Sequence, residues 1–414
     1  MFFRRLLYSL FLILLPVISA YPEASYSQEN ELEELNVLNE RVIQLLEQGR
    51  YTEALPLAQQ ILETTEKTIG PEHPDTAVSL DIVAGLYDLL GDHARAEPLY
   101  QRALVIYEKV LGPDHPDVAT SLNNLARLYE TLGEHTRAES LYQRSLATYE
   151  KTLGPDHPDV ATSLNNLARL YETLGEHTRA ESLYQRSLAT YEKTLGPDHP
   201  DVAASLNKLA NLYGSLGKYA RAEPLYQRAL AIREKVLGPE HPDTATSLNN
   251  LAVVYDSLGD YSKAEPLYRR AIAVKEKVLG PEHPDVAASI NNLAGLYYAL
   301  GDYGKAEVLF KDALAVTEKV LGPEHPDVAR SLNNIGEIYE ELGDYSKAES
   351  LLKKSLAIQE KAFGPEHPDV ATSLNNLGGL YYSLGDYAKA EPLLKRSLSI
   401  DEKLFGSEHP NIAL

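Results

Sequence analysis

The chain has 414 residues, with 39 Lys and Arg against 60 Asp and Glu, a formal net charge of −21 at pH 7. That shortage of clustered cations argues against a nucleic-acid partner and against docking on anionic lipid through a basic face. There is no cysteine, which excludes disulfides, zinc–thiolate sites and thiol catalysis.

Arg4 and Arg5 precede an apolar run from Leu6 to Val17. A basic start and a short apolar stretch form the layout of a secretory signal peptide. The run falls short of the roughly 20 apolar residues that a spanning helix needs. Residues 1–20 are therefore expected to be an export signal, cleaved after Ala20 or as late as Ser27. With cleavage the protein is periplasmic or secreted, with no integral membrane domain; the alternative is an uncleaved segment that tethers it to a membrane. Residues 21–29 read as a polar leader and 30–69 as a divergent helix pair able to cap the chain beyond Ile69.

From Gly70 a repeat decides the architecture. The phrase Gly-Pro-Glu/Asp-His-Pro-Asp starts at Gly70, Gly112, Gly154, Gly196, Gly238, Gly280, Gly322 and Gly364, a step of 42 residues each time. Residues 70–405 are thus eight tandem units, and Gly406 to Leu414 reads as the truncated start of another, which would leave an apolar end face open. Residues 112–153 and 154–195 are identical. A fixed period in this range is the mark of a solenoid.

Each unit predicts two helices. In 112–153, Leu122, Leu125, Ala126, Tyr129 and Leu132 fall at spacings of three and four, one apolar helical face. Gly133 ends that helix. Thr136-Arg137-Ala138-Glu139 reads as a capping box that opens the second, as do Ser262 to Glu265 and Ser346 to Glu349. Leu141, Tyr142, Ser145 and Leu146 continue the buried face until Gly154-Pro155 stops it. Small residues recur where helices must come close, as Ala126, Ala138 and Ser145 do in this unit.

This pattern of Leu122, Leu125, Ala126, Tyr129, Gly133, Ala138, Tyr142 and Ser145 resembles the tetratricopeptide repeat. The 42-residue period and the phrases His-Pro-Asp-Val-Ala and Ser-Leu-Asn-Asn-Leu-Ala are similar to the kinesin light chain branch of that family. The resemblance implies an all-α fold, a right-handed superhelical solenoid of antiparallel helix pairs whose first helices line a concave groove. A single unit buries too little to fold alone and needs its neighbours.

Chemistry of its own is not expected. Nine histidines sit in the recurring phrase, but equivalent positions lie at least one helix spacing apart, about 8–10 Å, too far to share a metal ion. They are expected to satisfy inter-repeat hydrogen bonds at helix starts. No nucleophile elbow, phosphate loop or His-Glu-x-x-His stands in the sequence. No catalytic residue, metal or cofactor is therefore assigned. Most of the 27 tyrosines occupy framework positions and read as core; Tyr298 and Tyr382 follow framework tyrosines and should point into the groove.

The groove is the candidate site. Opposite the apolar face runs a polar stripe: Asn123, Asn124 and Arg127; Asn165, Asn166 and Arg169; Asn207 and Lys208; Asn249 and Asn250; Asn291, Asn292 and Tyr298; Asn333 and Asn334; Asn375, Asn376 and Tyr382. An asparagine amide both donates and accepts, so a ladder of them suits the backbone of an extended peptide. Arg127, Arg169 and Lys208 make the front basic, offset by Glu130 and Glu172, while Arg330 stands beside Glu337, Glu340 and Glu341. The lysine of the carboxylate clamp in chaperone-binding relatives is missing, with Asn123, Asn165 and Asn249 in its place. The expected function is an exported, non-enzymatic scaffold for a peptide or protein partner. The alternatives are a structural protein that self-associates through its open C-terminal face, and a regulatory arm of an enzyme encoded elsewhere.

Overall fold

The computed structural model describes residues 26–405, and among them every regular element is an α-helix. The expected export signal, residues 21–25 of the leader and the start at Gly406 lie outside the described residues. Contacts divide the chain into two compact units, one ending at Leu212 and one beginning at Tyr213.

In the first unit, α1 (Tyr26–Glu47) and α2 (Tyr51–Thr68) precede the 42-residue repeats, and α1 starts within the segment read as leader. The pairs α3 (Pro74–Leu89) and α4 (His93–Leu111), α5 (Pro116–Thr131) and α6 (His135–Leu153), and α7 (Pro158–Thr173) and α8 (His177–Leu195) come next. Helix α9 (Pro200–Ser215) runs across the boundary. The second unit continues with α10 (Tyr219–Val236), α11 (Pro242–Ser257), α12 (Tyr261–Leu279), α13 (Pro284–Ala299) and α14 (Tyr303–Leu321). It closes with α15 (Pro326–Glu341), α16 (Tyr345–Phe363), α17 (Pro368–Ser383) and α18 (Tyr387–Phe405). In both units the two helices of a repeat pack together, the second packs on the first helix of the next repeat, and consecutive first helices touch. This is the helix-pair solenoid the sequence predicts.

The recurring phrase is a helix switch. Gly112 has φ +88°, which favours glycine, and ends α4. His115 then takes an extended backbone, and its Nδ1 accepts from the Asp117 N–H at 3.2 Å. Pro116 occupies the first turn, where its missing N–H costs nothing, and Asp117 faces the positive helix end. The histidines therefore do sit at helix starts. Their Nδ1 bond is to their own helix and not between repeats, because the cap geometry aims the ring at the first free N–H.

At the other turn, Gly133 takes φ +74°, and the Gly133 and Glu134 N–H groups donate to Glu130 O and Tyr129 O at 3.0 and 2.8 Å. This is the Schellman arrangement that closes helix carbonyls. The expected capping boxes do not form. These second helices start two residues earlier, so the cap position falls on Glu134, Asp260 and Asp344, and in other repeats on Asp92, Glu176, Lys218 and Asp302. Asp92, Asp302 and Asp344 cap with their own side chains. Glu139, Glu265 and Glu349 instead accept from the next repeat's tyrosine hydroxyls, Tyr171, Tyr297 and Tyr381, at 2.7, 2.6 and 2.6 Å. The carboxylates read as local caps are thus inter-repeat ties.

The core follows the sequence pattern. Leu122, Leu125, Ala126, Tyr129, Ala138 and Tyr142 are buried, whereas Leu132 lies past the helix end and is exposed. Each fully buried large apolar side chain contributes roughly 1.5–3 kcal/mol. Ser145 is buried because its hydroxyl donates to the Ala119 carbonyl at 2.7 Å, so a small residue joins the two helices of its repeat.

Candidate functional site

The face formed by the first helices carries the predicted site residues, and burial separates them. Asn123, Asn165, Asn207 and Asn333 are buried, so they do not stand open to a partner. Neither amide atom of Asn123 or Asn165 has a hydrogen-bond partner within the chain. Asn333 donates to the buried Ser373 hydroxyl of the next repeat at 2.7 Å. The cause of the misreading is geometric: consecutive first helices touch, and the stripe that a lone helix would expose lies under its neighbour.

The second asparagine of each pair, at 124, 166, 250, 292, 334 and 376, is half-buried, as are Asn249 and Asn291; Asn375 is exposed. Asn292 donates to Asn249 Oδ1 at 3.2 Å, and Asn376 to Glu337 Oε1 at 2.6 Å. The free amide ladder is therefore in part a set of inter-repeat bonds.

The cations of the front are also engaged. Arg127 Nη2 lies 2.9 Å from Asp88 Oδ2 and 3.4 Å from the Tyr100 hydroxyl. One repeat on, Arg169 lies 2.9 Å from Glu130 and 3.4 Å from the Tyr142 hydroxyl, which itself donates to Glu130 at 3.0 Å. Burial pushes the Lys208 ammonium pKa down, and the nearby Arg169 adds to the effect. Arg330 pairs with Asp327 on its own helix at 2.5 Å, not with Glu337, Glu340 or Glu341. Two of the three cations of the expected basic front, Arg127 and Arg169, are thus held in internal ion pairs.

The second unit holds a cavity of about 310 Å³ on the same face. Asp256, Tyr268, Asn291, Gly295, Tyr298 and Glu337 are among its lining. Tyr268 donates to Asp256 at 3.4 Å. Burial raises the pKa of the Asp256 and Glu337 carboxyls above the ordinary range, with Glu340 adding to the second. The Tyr298 hydroxyl is pushed up to about 12, first by burial and then by Glu337 and Glu341. As expected, Tyr298 looks away from the core. Its ring stands 5.5 Å from Tyr303, and Tyr382, 63% exposed, stands 5.3 Å from Tyr387. Among the described residues no three His, Asp or Glu side chains are grouped to hold a metal ion, and no helix is long and apolar enough to cross a membrane.

A family model described as tetratricopeptide repeat matches eight overlapping stretches, 33–109, 83–151, 132–193, 173–235, 201–277, 263–319, 285–361 and 347–403. The chain belongs to the tetratricopeptide repeat family. In sequence this tetratricopeptide chain is similar to a putative kinesin light chain from Podosopora anserina with nearly identical repeats, at 32% identity. That match covers 50% of this chain and 98% of the other, with a TM-score of 0.42. BtubC from P. vanneervenii is 28% identical over 57% of this chain and 92% of its own, with a TM-score of 0.45. A Rap protein shares the fold at a TM-score of 0.56 and 17% identity, over 90% of this chain and 98% of its own. The similarity to the Podosopora chain lies in the kinesin light chain-like branch to which the sequence motifs point.

Sequence reasoning placed Asp256 on the polar stripe but missed Asp88, Tyr100, Tyr268 and Gly295 as members of the tetratricopeptide face. The signal was available. Reading one register position down the repeats, Gly295 stands where Arg127 and Arg169 stand, over the same acid–tyrosine pair.

Proposed function

We propose that the protein is an exported, non-enzymatic scaffold that holds an extended segment of a partner polypeptide along the first-helix face. Tetratricopeptide repeat proteins generally mediate protein–protein interaction. A fold neighbour, the Rap protein, was solved complexed with Competence and Sporulation Factor. The observation that carries the reading is the open cavity of the second unit, where acceptors and the Tyr298 ring meet on that face. Export rests on the basic and apolar N-terminal sequence.

Site-specific photocrosslinking in cells tests the role. A photoreactive residue at Tyr298 or Tyr382 should capture a partner through one linear stretch, located by mass spectrometry. The same residue at Ala231, exposed on the second helix α10, should not. Equal capture at all three positions, or none, would remove the proposal. Fractionation of cells making the full chain tests export separately.

A further inference from the structure

The two units hold one constellation in filled and in unfilled form. In the first unit, the acid comes from the end of a first helix, the hydroxyl from the second helix of that repeat, and the guanidinium from the next first helix. Asp88, Tyr100 and Arg127 make one such group, and Glu130, Tyr142 and Arg169 the next. The Tyr142 hydroxyl donates to Glu130 while accepting from Arg169, so those three groups satisfy one another, and Arg127 likewise spans Asp88 and the Tyr100 hydroxyl.

In the second unit Asp256 and Tyr268 repeat the acid and the hydroxyl. The arginine position is Gly295, where an added Cβ would meet nothing within 4 Å. The cavity occupies that space, and its lining includes no lysine or arginine. Asn291 Oδ1 is buried on its wall without a hydrogen-bond partner. Glu337 adds a second carboxyl. The cavity thus gathers one unmet acceptor and two carboxyls, Asp256 and Glu337, each with one neutral donor and no cation, and what it lacks is a donor with positive charge.

We infer that this cavity is a receiving slot for an arginine side chain of the partner polypeptide, which takes the place that Arg127 and Arg169 take in the first unit. Arginine suits it better than lysine, because a planar fork reaches a carboxylate and a hydroxyl together, whereas an ammonium is a single point. A bound cation also offsets the burial that disfavours ionised Asp256 and Glu337. The inference relies on the proposed peptide-holding role only for the source of the arginine; the slot itself is open to a free side-chain mimic.

The test uses the full chain and N-acetyl-arginine methylamide, with the citrulline analogue as an uncharged probe of the same shape. Ligand-observed NMR gives each affinity, and selective glycine labelling follows the Gly295 amide. The arginine probe should saturate and shift Gly295, and the citrulline probe should not. Asp256→Asn should weaken the arginine probe about tenfold, the range of a charge-assisted hydrogen bond. Gly295→Arg should abolish binding by supplying the chain's own guanidinium, and Gly295→Ala should keep it. Circular dichroism confirms that each variant folds.

The slot is overturned if both probes behave alike, if the arginine probe fails to saturate, or if Asp256→Asn and Gly295→Arg bind as the parent does. The two readings fail separately. Capture of a partner at Tyr298 with no arginine preference leaves the scaffold and removes the slot. Saturable arginine binding with no partner captured leaves the slot and removes the scaffold.

Discussion

On the first-helix face of the first unit Arg127 and Arg169 reach into acid–tyrosine pairs, while on that of the second a cavity opens beside such a pair at Gly295. Both run on the same 42-residue frame, with the same glycine turns and the same histidine caps. They differ in what fills the frame. Arg127 and Arg169 complete their acid–tyrosine pairs, and Gly295 does not. Further along, the tyrosine position becomes Phe310 where the acid position becomes Tyr298, so hydroxyl and carboxylate disappear together. At Leu352 the same position packs onto Gly336, where the six preceding repeats carry alanine and the following one carries Gly378. The frame therefore tolerates different fillings of the same three positions from repeat to repeat, and each filling sets what is left to be met at that step.

Exchanging the residues that separate the two regions gives the largest expected effect. Arg169→Gly should destabilise the chain by about 3 kcal/mol, since it leaves the Glu130 side chain, 8% exposed, without its cation. It should also create arginine-probe binding in the first unit, and the probe should restore part of the lost stability. Thermal unfolding with and without the probe measures both. An intact first unit that gains no binding would break the parallel between the slots.

Gly336→Ala comes next. Its Cβ would stand 2.8 Å from Leu352 Cδ2, and Leu352 is fully buried. Overpacking of this kind costs about 1–3 kcal/mol. Urea unfolding should show the loss, and Gly336→Ala with Leu352→Ala should recover part of it.

Asp81 stands in α3 at the position that Asn123 and Asn165 hold in later repeats. It is buried, and its Oδ1 has no hydrogen-bond partner within the chain. Burial, with Asp117 nearby, raises its pKa well above the ordinary carboxylate value. A carboxyl raised by folding supports the fold while protonated. That support is full below the unfolded value and is lost as pH climbs through the folded one. Asp81→Asn should therefore gain about 1–2 kcal/mol at neutral pH, with the gain shrinking toward acid. Thermal unfolding against pH measures the trend, and a gain independent of pH would assign it to packing.

The smallest change is Gly295→Arg. Replacing a mid-helix glycine and pairing Asp256 should raise stability by about 1 kcal/mol. A rise in Tm alongside loss of the arginine probe would tie the two units to one design; a fall would show that the Gly295 cavity differs from the Arg127 site.

The helices were legible because each is bounded by residues whose backbone chemistry is local. Gly133 accepts positive φ, and His115-Pro116-Asp117 caps and starts a helix without help from elsewhere. Leu122, Leu125, Ala126 and Tyr129 mark the buried face by spacing alone. The site was less legible. A single-helix projection puts Asn123, Asn165 and Asn333 on an open polar face, yet they are buried. Likewise, Glu139 reads as a cap from its neighbours in sequence, but its partner is Tyr171 in the next repeat.

By itself the amino-acid sequence determined the period, the helix ends and the side of each helix that is buried, since propensity, capping and spacing act within one or two turns. The tertiary structure alone decided which polar residues stay open, because that depends on neighbouring helices about 8–10 Å away. Arg127 and Gly295 occupy equivalent places in their repeats. One fills a slot and the other leaves it empty only once the next pair of helices has packed against it.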